Sequence, residues 1–256
     1  MALQERYSQA VLAKLRSTSI FANIVGRQFE GDPKAGAVKV PVRAEATVAA
    51  YDPATGLAGT NTATTFQTIA IDKDYAVNEI VDGYEAAALP DGKVIERLES
   101  AGYDLGNQAA NDILAAINAS KTAATTKKTA VLGQILDTIA QAQAAGVDND
   151  KIWVVVNPAN YASLLQETLF VAGNNEADMQ TGRIGALAGT PVYVCNNANF
   201  TDSFIVGNSD FIHFVCDYKV EPTVRDGVGT YIGSAQVVAR MVYGAAVTDS
   251  TTVFYK

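Results

Sequence analysis

The most constraining stretch of this sequence is one that cannot fold by itself. Residues 44–65 hold few large apolar side chains, yet they separate two runs that read clearly as strand. In the first run Val38, Val40 and Val42 alternate with Lys39, Pro41 and Arg43. In the second, Phe66, Thr68 and Ala70 alternate with Gln67, Ile69 and Ile71. Such period-two alternation predicts strands, and Pro41, which has no N–H to donate to a ladder, predicts an edge or a bulge. Between them, Pro53, Gly56 and Gly59 form turns. The prediction is an extended hairpin with a long polar tip. A lone two-stranded hairpin is at best marginally stable in water, so this one needs support from outside itself.

A second stretch has the same difficulty. Leu3, Tyr7, Val11 and Leu15 recur at helical spacing with polar residues between them. A short amphipathic helix at the terminus must dock its stripe on its own body or on a neighbour.

The remaining chain carries an ample core. Of its 256 residues, 48% are hydrophobic and 18% charged, which excludes a disordered, solvating polypeptide. Tyr75, Val77 and Ile80 continue as extended chain into Glu85, and Pro90-Asp91-Gly92 forms a turn. Val94, Leu98, Ala101, Leu105, Ala109, Ile113 and Ile117 then mark one face of a long helix. At 1.5 Å per residue, roughly 25 residues give about 37 Å, enough to cross a domain. Gly102 and Gly106 within it suggest a close approach by another backbone. A polar linker follows from Ser120 to Thr129.

Beyond the linker the pattern is α/β. A helix over Leu132–Ile139 stops at Gly146, and Ile152–Val156 is a strand buried on both faces. Asn157-Pro158 opens a further helix. A strand follows at Pro191–Cys195, then a strand pair at Phe204–Val206 and Phe211–Val215, and further strands near Tyr231, over Ala235–Tyr243 and over Thr252–Phe254.

Several kinds of chemistry are excluded by what the chain lacks. Nineteen basic against 27 acidic residues give a formal net charge of -8, unsuited to gripping a phosphate backbone. One histidine, His213, cannot supply paired imidazoles, and as a strand residue it reads as structural. Alternation sets it opposite the Ile212 and Phe214 face. Cys195 and Cys216 read as reduced core thiols, and Trp153 as core. The glycine-rich Gly182–Gly189 segment lacks phosphate-loop spacing and reads as a turn packing on a strand. Asp72, Asp74, Glu79, Asp82 and Glu85 lack calcium-loop spacing and read as solvated or inter-subunit charges. No catalytic, cofactor-binding or metal-binding set emerges. No apolar run reaches the roughly 20 residues that span a bilayer, and no signal peptide is legible, so a soluble, cytoplasmic chain with no membrane partner is expected.

The order of these elements resembles that of the major capsid proteins of tailed bacteriophages, the Hong Kong phage type of shell fold. Val38–Ile71 resembles the family's extended loop, and Asp72–Asp82 its return into the peripheral domain. Val94–Asn118 resembles the spine helix. Trp153–Leu164 and Gly185–Val194 resemble recurrent axial segments, and Arg240–Val247 the closing peripheral strands. The resemblance implies an α+β fold: an arm (1–35), an extended loop (36–75), a peripheral domain (76–119 and 217–256) and an axial domain (120–216). It also implies a non-enzymatic subunit that forms capsomers, pentamers and hexamers, and an icosahedral shell around double-stranded DNA held without sequence-specific contacts. Portal and separate scaffolding or decoration proteins are the further partners implied, and the virion capsid, assembled in the host cytoplasm, is the location. On this resemblance Leu3, Tyr7, Val11, Asp52, Thr55, Leu57, Thr60, Asn174 and Glu176 are expected to contact neighbouring subunits. Some family members cross-link the loop tip through lysine. With no lysine between Lys39 and Lys73, a shell without such cross-links is expected here. Because the chain begins with the arm, any scaffold is expected to be a separate protein. The competing readings are a cellular nanocompartment shell and a cytoplasmic α/β enzyme built on residues 130–215.

Overall fold

The computed structural model describes residues 20–28, 36–43, 48–57, 59, 64–84, 93–167, 170–172, 183–187, 189–226 and 233–256. The alternating runs form β1 (Ala37–Arg43) and β2 (Thr64–Ala70), paired antiparallel in a sheet of their own. Pro41 sits opposite Phe66 in an unbroken register. Its missing N–H is tolerated because both strands of a two-stranded sheet are edges.

β3 (Lys73–Val81) leaves the hairpin and joins a three-stranded antiparallel sheet with β10 (Ile212–Asp226) and β11 (Ala235–Val247), β11 in the centre. Tyr75, Val77, Glu79 and Val81 face inward, and Asp74, Ala76, Asn78 and Ile80 outward. Across the inner face lies α2 (Lys93–Ser120), preceded in the chain by the short α1 (Phe21–Ile24). Ala101, Leu105, Ala109, Ile113 and Ile117 of α2 are buried, on the stripe read from their spacing. The two glycines of α2 differ from the expectation of a close backbone approach. A Cβ on Gly102 would meet the Pro222 side chain at 3.3 Å, whereas one on Gly106 would meet nothing within 4 Å.

The second half builds a seven-stranded sheet: β4 (Thr122–Ala123), β12 (Phe254–Tyr255), β9 (Phe204–Asn208), β5 (Ile152–Val156), β8 (Thr190–Val194), β7 (Arg183–Leu187) and β6 (Phe170–Ala172), in that spatial order. β5, the continuous apolar run, is buried at every position near the centre. Against the sheet pack α3 (Val131–Ala144) and α4 (Pro158–Leu164). Gly146 ends α3 at φ 90°, and the Asn157 side chain caps α4 by accepting the Asn160 N–H at 2.8 Å.

Four features depart from the sequence reading. Phe204–Val206 and Phe211–Val215 are consecutive in the chain but lie in different sheets. The buried Asn208 side chain turns the chain between them, accepting the Asp210 and Phe211 N–H groups and donating to Thr252. The division expected at 216/217 falls inside β10, and the chain end crosses back, since β12 pairs with β9 and β4. The linker is not free either. Its residues 122–123 form β4, and the Gln141 amide bonds the Thr125 N–H and C=O as a strand partner would. Gly182–Gly189 contains β7 and enters a hairpin with β8, in which Gly189 adopts φ 85°.

Candidate assembly surfaces

Large apolar side chains left in water are the clearest candidates for contact with another molecule, because burying them is worth about 25 cal/mol per Å². Four lie along the β1–β2 hairpin: Val48 is 94% exposed, Tyr51 70%, Phe66 62% and Leu57 54%. The tip itself is ordered by local polar bonds. Asp52 accepts from the Ala54 N–H and the Thr55 hydroxyl, both at 2.9 Å, while Gly56, at φ 70°, donates its N–H to the Asp52 carbonyl at 2.8 Å. The Ala54 N–H foremost, and then the Thr55 hydroxyl, hold the Asp52 carboxyl below its ordinary pKa. The turn is thus shaped without help, and the apolar residues flanking it stay more than half exposed.

Among the described residues, the hairpin is anchored at its root. Ile69 is wholly buried. Ala70 lies so close to β11 that a Cβ on Gly244 would land on its carbonyl oxygen. The hairpin therefore leaves the body at a fixed point.

The outward face of the three-stranded sheet carries a second exposed set. Tyr218 on β10 and Ile80 on β3 are exposed there. Arg240 on β11 holds the Asp74 carboxylate through two bonds, 2.9 and 2.5 Å, and lies over the Tyr218 ring at 5.8 Å. The Arg240 guanidinium, as hydrogen-bond donor, lowers the Asp74 pKa. Glu79 is bonded to Arg97 at 2.9 Å. These two acids, expected to be solvated or inter-subunit charges, are paired within the chain because the register of β3 sets one beside β11 and the other beside α2.

Polar contacts fasten α2 and the residue just past it to the loop between β8 and β9. Lys121, just past the end of α2, pairs with Asp202 at 2.5 Å with side chains only 12% and 10% exposed, and its ammonium lies 4.3 Å from the Tyr255 ring centroid. Asn111 of α2 accepts from the Asn197 and Asn199 amides.

Of the residues expected at inter-subunit contacts, Asp52 and Thr55 bond each other, and Leu57 is exposed beside them. Leu3, Tyr7, Val11, Thr60, Asn174 and Glu176 lie outside the described residues. Val48, Tyr51 and Phe66 were not singled out from the sequence. Their signal was available, as isolated large apolar residues in or beside a polar tip. His213 stands in the unbroken strand register that sets it opposite the Ile212 and Phe214 face, as expected, and that face is buried too, with Gly26 bridged to His213. Trp153 is core, as expected.

A family model described as phage capsid protein matches residues 84–255. No curated protein matches the chain. Among solved structures it is similar to one from Mycobacterium phage Che8, at 21% identity and a TM-score of 0.77, covering 100% of this chain and 97% of that one. A capsid structure of cyanophage P-SCSP1u matches at 15% identity and a TM-score of 0.75, covering 99% and 92%. The mature capsid of bacteriophage PhiM1 matches at 14% and 0.69, covering 98% and 90%. These likenesses establish the α+β shell fold, and the family match takes in the long helix, the seven-stranded sheet and strands β10 and β11 of the three-stranded sheet. The chain belongs to the phage capsid protein family.

Proposed function

We propose that this chain is the major capsid subunit of a tailed bacteriophage, assembling through pentamers and hexamers into an icosahedral shell around double-stranded DNA. The observation that carries the proposal is the β1–β2 hairpin, rooted at Gly244 and bearing Val48, Tyr51, Leu57 and Phe66 in water. Such a projection gains stability when a sister copy covers it, and head-to-tail contacts of this kind close into rings. Obligate interfaces commonly bury more than about 2,000 Å², enough to offset the entropy of ordering.

The division of labour follows the sheets. Residues 36–75 serve as the extended loop. The three-stranded sheet with α2 serves as the peripheral domain, and the seven-stranded sheet as the axial domain. Residues 1–35 serve as an arm whose root is buried on the subunit's own core through Ile20, Phe21, Ile24 and Val25. Leu3, Tyr7, Val11, Thr60, Asn174 and Glu176 remain proposed contact residues beside Asp52, Thr55 and Leu57. The shell is held without lysine cross-links from the loop tip, with a portal and any scaffolding or decoration proteins supplied separately. A net charge of -8 suits a wall that encloses DNA without gripping it. Repulsion between copies is screened beyond about 8 Å at physiological salt.

Deleting residues 52–62 tests this. The shortened chain is expected to fold with unchanged far-ultraviolet circular dichroism and to form no shells in electron micrographs. Normal shells from it would overturn the loop assignment.

A further inference from the structure

The chain's single histidine stands at the point where the N-terminal segment is fastened to the body. Gly26 forms a parallel bridge with His213: its N–H donates to the Ile212 carbonyl at 2.8 Å, and its carbonyl accepts the Phe214 N–H at 3.0 Å. A Cβ at Gly26 would land on the Ser209 carbonyl oxygen and stand 3.3 Å from His213 Nδ1. Only glycine lets the segment lie this close over the imidazole. The other ring nitrogen, Nε2, is 3.2 Å from the Thr248 hydroxyl at the end of β11. The ring is 2% exposed.

We infer that His213 is an acid-sensitive latch whose neutral ring lets residues 20–28 seat on β10, and whose protonation releases them. The backbone around the ring is already committed, since the polar groups of Gly26 are taken by Ile212 and Phe214. A protonated ring donates from both nitrogens and carries a charge with little access to water.

Among the described residues, the charged groups around the ring do not offset that cost. Asp210, in the turn before β10, is the acid whose field favours the proton, but burial outweighs it and the His213 pKa is lowered from its ordinary 6.5. Arg27, on the docked segment, lies over the Phe214 ring at 5.5 Å and adds like charge. Asp249, beyond β11, accepts the N–H and hydroxyl of Thr251. Asp112 of α2 is held by the Tyr243 hydroxyl. α1 brings no titratable side chain. Because the docked state holds the proton less tightly than the released state, docking is at full strength above pH 6.5. It weakens by up to about tenfold per pH unit as pH falls from there toward the docked pKa.

The test is amide-resolved hydrogen exchange on the full chain as unassembled subunits, normalised for intrinsic rates, between pH 7.5 and 5. Protection of the Gly26 and Phe214 amides is expected to fall by up to about tenfold per unit below pH 6.5, with β5 amides unchanged. His213→Gln is expected to remove that dependence. With one histidine in the chain, its imidazole resonances also report directly, and their titration must coincide with the loss of protection even if the variant fails to fold. Protection independent of pH in the native chain, the same dependence in a folded H213Q chain, or an imidazole titrating without loss of protection would each overturn the latch. Because the readout uses free subunits, it stands apart from whether shells form.

Discussion

The Tyr243 hydroxyl donates to Asp112 Oδ2 at 2.6 Å, tying the central strand of the three-stranded sheet to the long helix across it. Tyr243 is wholly buried, and burial, reinforced by the Asp112 carboxylate, pushes its pKa far above the ordinary tyrosine range. The phenol therefore stays protonated and remains a donor under all ordinary conditions. Its ring also packs on Tyr75 and Phe214, with centroids 6.0 and 5.3 Å away. Tyr243→Phe keeps that packing and removes one charge-assisted bond. A loss of about 1.5–3 kcal/mol is expected, read as a lower urea midpoint at unchanged slope.

The glycines of α2 and β11 should respond to alanine with opposite sign. Gly244→Ala places a methyl group on the Ala70 carbonyl, so the hairpin root must shift, at a cost of about 1–3 kcal/mol. Gly106→Ala meets nothing within 4 Å and removes a glycine from a helix interior, so the isolated subunit should gain about 1 kcal/mol. Thermal unfolding of the two variants side by side checks both signs.

Lys121 and Asp202 form a nearly buried pair between the end of α2 and the loop before β9. Lys121→Met leaves the Asp202 carboxylate buried without its partner, and a loss of about 3–5 kcal/mol is expected. Adding Asp202→Leu removes the orphaned charge, so the double variant should recover much of that loss in the same denaturant titration.

Gly207 stands opposite Trp153 in the β9–β5 pairing, and a Cβ there would stand 2.6 Å from the indole ring. Gly207→Ala should cost about 1–3 kcal/mol and displace the ring. Trp153 is the only tryptophan, so a changed emission spectrum in the native state reports the displacement directly.

Local pattern made much of this fold legible. The spacing from Val94 to Ile117 marks a helix within a residue of its observed start, because a core-facing stripe imposes its period on the sequence. The alternation of Val38–Val42 and Phe66–Ile71 marks β1 and β2, and the unbroken apolar run at Ile152 marks a strand buried on both faces. What stayed hidden depends on contacts distant in sequence. Nothing local to Phe254-Tyr255 says that it pairs with β4, more than a hundred residues earlier. Nothing near His213 says that Gly26 will lie over it. Asp74 and Glu79 look like free charges until the register of β3 brings Arg240 and Arg97 to them. The hairpin was the exception among long-range features, since its lack of core showed that support must come from elsewhere, though not which side chains face that support.

The account rests on that hairpin finding its cover on another copy of the chain. Electron cryomicroscopy of the purified full-length protein tests this most directly. Closed particles of pentamers and hexamers are expected, with Val48, Tyr51, Leu57 and Phe66 of each copy buried against a neighbour. A monodisperse monomer at high concentration, or particles in which those four side chains remain in water, would contradict it.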